Sequence, residues 1–240
     1  MISHNITAIP KSESWRMFDD ISPRYDFLNH LLSFGLDIHW RKRLAKFVTS
    51  RPGQIVLDLA TGTADVLLSL FRHSPNVQSG YGIDLADKML DIGRGKVARR
   101  GLEPRILLEH GDAHQIPFNA HTFDCATIAF GIRNMRSPTH VLSEMYRILN
   151  HEGRAVILEF SLPANAVIRS VHIFYLRHVV PLIGAMFSGN YNAYRYLNQT
   201  IETFPHGKEF CALLSNAGFT NVSANPVLFG VAMIYTGDKK

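Results

Sequence analysis

Cysteine is scarce in this chain of 240 residues: Cys125 and Cys211 are the only two, and both sit in apolar-patterned segments. A disulfide framework is therefore not expected, and a reducing cytoplasm is the natural home. No Cys–His cluster has zinc spacing. His110 and His114 are separated by Gly111 and a strand end, so no shared helical face arises and no metal site is expected. The longest charge-free stretch, His178 to Tyr194, is broken by Pro181, Gly184 and Gly189, which makes it a poor membrane span. The first residues lack a basic start followed by an apolar run, so no signal peptide is read there. Repeats and low-complexity segments are lacking too.

What is present is a globular composition, 46% hydrophobic and 19% charged. The net charge of +5 suits an anionic partner such as nucleic acid, an acidic membrane surface or an anionic ligand. The surplus is spread, and its densest clusters, Arg41-Lys42-Arg43 and Lys96 to Arg100, are short. A merely basic enzyme is the simplest reading of charge alone.

Helical spacing dominates the first 50 residues, through Trp15, Phe18, Ile21, Tyr25, Leu28, Leu31 and Leu32. Pro23 predicts two helices or a kink. Trp40 to Val48 predicts another helix. Strands are then expected over 54–59, 80–83, 106–110, 123–130 and 154–160, alternating with helices over 65–73, 88–100 and 138–149. That alternation argues for a parallel sheet covered on both faces. After Phe160 it stops. Helices are expected over 164–187, 192–203 and 206–216, followed by an antiparallel strand pair, 222–227 and 231–236, joined at Gly230. The organisation expected is an N-terminal helical lid, residues 1–50, on an α/β domain, residues 51–240. Residues 164–204 form an insertion over the sheet's carboxyl edge, where open α/β sheets bind ligands.

Three strand ends carry ligand-type residues. Val56-Leu57-Asp58-Leu59-Ala60-Thr61-Gly62-Thr63-Ala64-Asp65 runs from a strand through small residues into a helix. A dehydrogenase needs several glycines here to bring a pyrophosphate onto the helix N-terminus. This loop has one, Gly62, between Asp58 and Asp65. Acids there suit a ligand carrying an ammonium and a sulfonium. Asp65 has a second explanation, favourable charge at a helix N-terminus. Asp84 ends the next strand, where a carboxylate can accept from both ribose hydroxyls. Asp112, in Gly111-Asp112-Ala113, can accept from an adenine amino group. Together they favour S-adenosylmethionine over NAD.

These stretches, with Phe123-Asp124, resemble the seven-stranded methyltransferases that use S-adenosylmethionine. Three more resemble the quinone C-methyltransferases of the UbiE/MenG family: Met17 to Asn29, Phe130-Gly131-Ile132-Arg133-Asn134, and Tyr194-Arg195-Tyr196-Leu197. Tyr146 to Leu149 and Leu158 to Ser161 fit as well, so the resemblance covers roughly residues 15 to 236. It implies a Rossmann-like seven-stranded sheet and cofactor contacts from Thr63, Asp84, Asp112 and Ala113. The family loop carries more glycine, where this chain has Thr61 and Ala64. A serine common before the Phe-Gly step is here Ala129. The implied reaction is C-methylation of a prenylated quinol, demethylmenaquinol to menaquinol, with the ubiquinone precursor as the alternative acceptor.

A quinol carbon is a poor nucleophile until a ring hydroxyl loses its proton, and a phenol titrates near ~10. A cation nearby lowers that value. Arg133 and Asn134, just past the fourth strand, are the expected stabilisers of the quinolate, with Tyr25 of the lid as a third candidate. For Arg133 the plain alternative is a structural ion pair, and for Tyr25 it is core packing. Arginine is a poor base, so a water or a histidine must take the proton. Ile168 to Phe187 is expected to line a tail tunnel, to touch a membrane, or to do no more than pack as a buried cap helix, with Arg169 and Arg177 at headgroup level if it meets lipid. The expected location is the cytoplasm, against the inner face of the membrane, and a homodimer is compatible with the reading.

Rival functions are weaker. A nucleic-acid amino-methyltransferase resembles Asn/Asp-Pro-Pro-Tyr/Phe after the fourth strand, which this chain lacks. Pyrimidine carbon methylation needs a nucleophilic cysteine, and Cys125 lies within a strand and Cys211 within a helix. No nucleic-acid partner is expected. The glycine deficit opposes an NAD oxidoreductase. A non-catalytic member that only binds the cofactor or a protein partner is the third rival, since fold alone does not guarantee activity, and retained cofactor binding without turnover would mark it.

Overall fold

Pro23 does not break the first helix. In the computed structural model, which describes residues 10–48, 51–188 and 191–240, α1 runs without interruption over Ser14–Leu32. Proline cannot donate to the carbonyl four residues back, that of Asp19. The Ser22 hydroxyl donates to it instead, at 2.8 Å. Met1 to Ile9, with Thr49 and Ser50, lie outside the described residues, and so do those parts of the expected lid. Gly189 and Asn190 of the insertion lie outside them too.

A left-handed Gly35 (φ 75°) turns the chain into α2, Leu36–Leu44. The elements that follow are β1 (Gln54–Leu59), α3 (Asp65–His73), β2 (Val77–Asp84), α4 (Asp87–Ala98), β3 (Ile106–His110) and β4 (Phe123–Ala129). After them come α5 (Pro138–Ile148), β5 (Leu149–Phe160), α6 (Ala166–Phe174), α7 (Val180–Ser188), α8 (Tyr191–Thr203), α9 (Lys208–Asn216), β6 (Thr220–Val227) and β7 (Ala232–Asp238). Ser137 caps α5, accepting from the His140 N–H. The expected 164–187 helix is α6 and α7 joined through one π turn, Tyr175–Val179.

The seven strands are ordered β3-β2-β1-β4-β5-β7-β6. β1 to β5 are parallel, and β7 is antiparallel to β5 and β6. The chain crosses to opposite sides of β1, so a crevice opens over the carboxyl ends of β1 and β4, where such sheets bind ligands. One core packs α2, α3 and α4 against one face, through Trp40, Leu44, Leu67 and Leu90. The other packs α5 and α9 against the opposite face, through Leu142, Met145, Phe210 and Leu214. A third cluster joins the lid to the insertion: Met17 and Leu28 of α1 meet Leu176, Val180, Tyr196 and Ile201.

Among the described residues, the helix long and apolar enough to cross a membrane is not the stretch singled out by lack of charge. It is Ala166–Met186, which passes on length and composition with only 17% of its window buried.

Candidate active site

β1 delivers a loop in which Ala60, Gly62 and Ala64 all have positive φ, at 48°, 53° and 65°. Only Gly62 takes that conformation without strain. The loop is pinned from beneath. Asp58, 1% exposed, accepts from the Thr61 hydroxyl at 2.7 Å and the Thr127 hydroxyl at 2.6 Å. Burial pushes its pKa up to about 7. Asp58 does not line the neighbouring cavity; it holds the loop that does.

Asp84 pins the loop from the side. Its carboxylate accepts the Gly62 N–H at 2.8 Å and the Ala86 N–H at 2.9 Å. Burial raises its pKa, and these backbone donors oppose the rise. Each oxygen keeps lone-pair capacity toward the cavity. Asp112 accepts from the His114 N–H and ring, both at 2.8 Å, with Arg136 at 3.8 Å from its other oxygen. Burial works against its ionisation, but these partners outweigh it and hold the pKa below the usual carboxylate range.

Thr63 faces away from the cavity. Its hydroxyl donates to Asp26 of α1 at 2.7 Å and accepts from Lys96 of α4 at 2.9 Å. Lys96 also binds Asp26 and Asp65, each at 2.6 Å. Asp19 accepts the Lys88 N–H at the start of α4, at 3.0 Å. Two carboxylates of the lid thus fasten it to α4 and to the cofactor loop.

Between lid and sheet lies a cavity of about 360 Å³. Gly62, Asp84, Met89 and Ala113 form its floor, and Trp15, Phe18 and Tyr25 of α1 form its roof. Ala129 lines it with a methyl, so no hydroxyl contact is available there. A carboxylate at the end of β2, a second at the end of β3 and a close-approach glycine loop fit an adenosine bearing an amino-acid arm.

A second cavity, of about 440 Å³, adjoins the first and is walled almost wholly by apolar atoms. Phe18, Tyr25, Phe130 and Asn134 line both. Phe130 holds φ at 57°, a strained value for a bulky residue, and rests its ring on Phe160 and Trp40 at 4.5 and 5.9 Å. Gly131 allows this close approach, since a Cβ there would lie 2.8 Å from the Ala60 methyl.

Arg133 is 4% exposed. Its Nη1 donates to Glu159 Oε1 at 2.7 Å and to the Phe130 carbonyl at 2.5 Å. The structural ion pair expected as its plain alternative is therefore present, and it is not the whole of the residue's situation. Arg133 Nε, Asn134 Oδ1 and His172 Nε2 are buried without a partner. The Tyr196 hydroxyl is buried too, with Ser14 nearby but no partner in hydrogen-bond geometry. All four residues line the apolar cavity. Burial lowers the His172 pKa and so favours its neutral form. Burial likewise raises that of Tyr25, against the pull of Asn29, Arg41 and Arg133.

The structure thus gathers Gly62, Asp84, Asp112 and Ala113 around one cavity, and sets Arg133 on the other with Tyr25 and Asn134 in the wall between. Asp58 and Thr63 stand behind the loop. Sequence reading gave no site role to His172, Tyr196 or Glu159, the last two entering only within family-like stretches. An acid directly after Val156-Ile157-Leu158 is a usable signal, because a charge ending an apolar strand needs a buried partner. Among the described residues no cluster suits a metal ion. Cys125 is buried in β4, and burial pushes its thiol up to about 12.

The model of the ubiE/COQ5 methyltransferase family matches residues 7–239. The chain belongs to this family. It is 46% identical over 223 residues to a ubiquinone/menaquinone biosynthesis C-methyltransferase of Geobacter sulfurreducens, covering 93% of this chain and 87% of the relative. It is 43% identical to a demethylmenaquinone methyltransferase of Thermus thermophilus, covering 93% and 100%. A methyltransferase structure from Thermotoga maritima shares the fold at a TM-score of 0.65 and 17% identity, covering 94% of this chain and 99% of that one. One from Methanococcus maripaludis does so at 0.62 and 18%, covering 100% and 98%. The family member described here is a C-methyltransferase whose cofactor is S-adenosylmethionine.

Proposed function

We propose that this enzyme methylates a ring carbon of a prenylated quinol, with demethylmenaquinol as the acceptor. The observation that carries the reading is the apolar cavity against the cofactor cavity, with unpartnered polar atoms of Arg133, Asn134 and His172 in its wall. Such atoms cost stability unless a ligand satisfies them. An apolar molecule with ring hydroxyls does so.

When bound, S-adenosylmethionine supplies an electrophilic methyl group on a sulfonium. Gly62, Asp84, Asp112 and Ala113 hold it. Phe130 and Phe18 confine the ring beside it, and alignment of this kind supplies much of a rate. The Arg133 Nε–H donates to a ring hydroxyl oxygen and favours its anion, and the negative charge spreads to the ring carbon. Glu159 already balances the guanidinium, so the help from Arg133 is a directed hydrogen bond more than a free charge. The Asn134 amide oxygen orients the same hydroxyl. Arginine cannot accept the proton. His172, neutral and unpartnered at Nε2, takes it directly or through a water.

The test is incubation with methyl-labelled S-adenosylmethionine and a demethylmenaquinone analogue, chemically reduced or oxidised. Label on the ring with the reduced form alone is expected. Label with both forms would remove the quinolate from the account. Transfer only to the ubiquinone precursor would move the acceptor, since relatives' names span both quinones.

A further inference from the structure

We propose that the face carrying the mouth of the apolar cavity docks on an anionic lipid bilayer, with α6 and α7 lying against it and the cations of α2 at headgroup level. This rests on reading that cavity as the seat of a prenylated acceptor, whose tail must leave through the mouth.

The rim is apolar and exposed. Phe34, Val171 and Phe229 line the cavity yet stand 76%, 65% and 76% exposed. They come from three separate places: the turn after α1, α6, and the turn before β7. The ring of Phe34 lies 5.9 Å from that of Tyr175, which joins the first two places. The apolar surface continues outward along the insertion through Val167, Phe174 and Leu182. Among the described residues, only Phe27, Ile38 and Leu107 are exposed large hydrophobics outside these segments. A soluble surface scatters such residues singly, whereas a contiguous patch marks an interaction site. Ala166–Met186 has a composition fit for a membrane phase and is mostly unburied, as suits a helix lying in an interface.

Charge selects the occupant. Residues 38–57 and 160–201 contain no Asp or Glu. Lys42, Arg43 and Lys46 are exposed at or just beyond the end of α2, and Lys42 stands one helical turn from the exposed Ile38. A second copy of this chain would bring the same cations against themselves, because a two-fold interface is self-complementary. Anionic lipid complements them.

The test is flotation of the full chain with vesicles of phosphatidylglycerol and phosphatidylethanolamine, against vesicles of phosphatidylcholine alone. Strong binding to the first, weakened by salt, is expected. Phe174→Ser with Leu182→Ser, neither of which lines the cavity, should lower vesicle binding at least tenfold. The same variant should methylate a short-tailed, water-soluble quinol at the wild-type rate and lose a long-tailed quinol presented in vesicles. Lys42→Gln with Arg43→Gln and Lys46→Gln should weaken binding to the anionic vesicles by roughly a hundredfold. Unchanged binding in either variant, or no binding by the wild type, overturns the proposal. A wild-type dimer made monomeric by Phe174→Ser with Leu182→Ser, with vesicle binding intact, would assign the face to a second copy instead. Methylation of the short-tailed quinol without vesicles tests the proposed reaction separately.

Discussion

The two cavities that share Phe18, Tyr25, Phe130 and Asn134 treat their polar atoms in opposite ways. On the cofactor side the carboxylates are pinned by the protein itself: Asp84 by Gly62 and Ala86, Asp112 by His114. On the acceptor side Arg133 Nε, Asn134 Oδ1 and His172 Nε2, buried atoms of residues that line the apolar cavity, have nothing to bond. A pinned carboxylate is a preformed site whose geometry survives without ligand. An orphaned donor or acceptor costs about 1–3 kcal/mol in the free protein and recovers it only when the right molecule arrives. The first arrangement favours binding, and the second selects what reacts.

The largest effect expected on this division is from Arg133→Ala. Single-turnover methyl transfer should fall by roughly 10²–10³, while calorimetric affinity for S-adenosylmethionine stays near wild type. The same change strands Glu159, so the melting temperature should drop, in line with a loss of about 3–5 kcal/mol. His172→Phe should follow, with turnover lowered about a hundredfold or more and stability unchanged or raised, since an orphan is removed. In the wild type, burial holds the His172 pKa below its ordinary value. The acid limb of the pH–rate profile should therefore lie below ~6.5, and it should vanish in His172→Phe. A variant that keeps this limb would take the proton-accepting role from His172.

Asp84→Asn probes the other cavity. Cofactor affinity should weaken about 10- to 100-fold, as for hydrogen bonds to a charged group, with turnover at saturating cofactor retained. Asp58→Asn should do least, because Asp58 supports the loop without lining the cavity. Its pKa of about 7 in the fold lies above the ~4 of an unfolded aspartate. The folded chain therefore holds an extra proton between those values, and stability falls as pH rises from ~4 to 7. Thermal melts of Asp58→Asn across that window should lose this slope, with cofactor affinity changed only a few-fold. A large loss of affinity would return Asp58 to direct contact with the cofactor.

The same contrast explains what could be read from residue order. The cofactor side is made of local pieces, in which a strand, a small-residue loop and a helix follow one another between Gln54 and His73, Asp84 ends its own strand and Asp112 follows two residues after the end of β3. Periodicity and strand-end chemistry reach that far. The carboxylate pins are tertiary, so residue order does not report that Asp58 bonds Thr61 and Thr127 or that Thr63 bonds Asp26 and Lys96 behind the loop. The acceptor cavity draws on α1, α2, the turn after β4, the end of β5, α6, α8 and the turn before β7. Nothing in the spacing of His172 or Tyr196 reports that they line one cavity with Arg133. The uninterrupted α1 was hidden for a smaller reason: a serine beside Pro23 satisfies the carbonyl that proline leaves open.

The most direct test of the divided site is one experiment on two proteins. Cofactor affinity and single-turnover transfer to a reduced short-tailed acceptor are measured for Arg133→Ala and Asp84→Asn together. The account predicts a crossed result, with transfer lost and affinity kept in the first, and affinity lost and transfer kept in the second. Parallel loss of both quantities in both variants would contradict it.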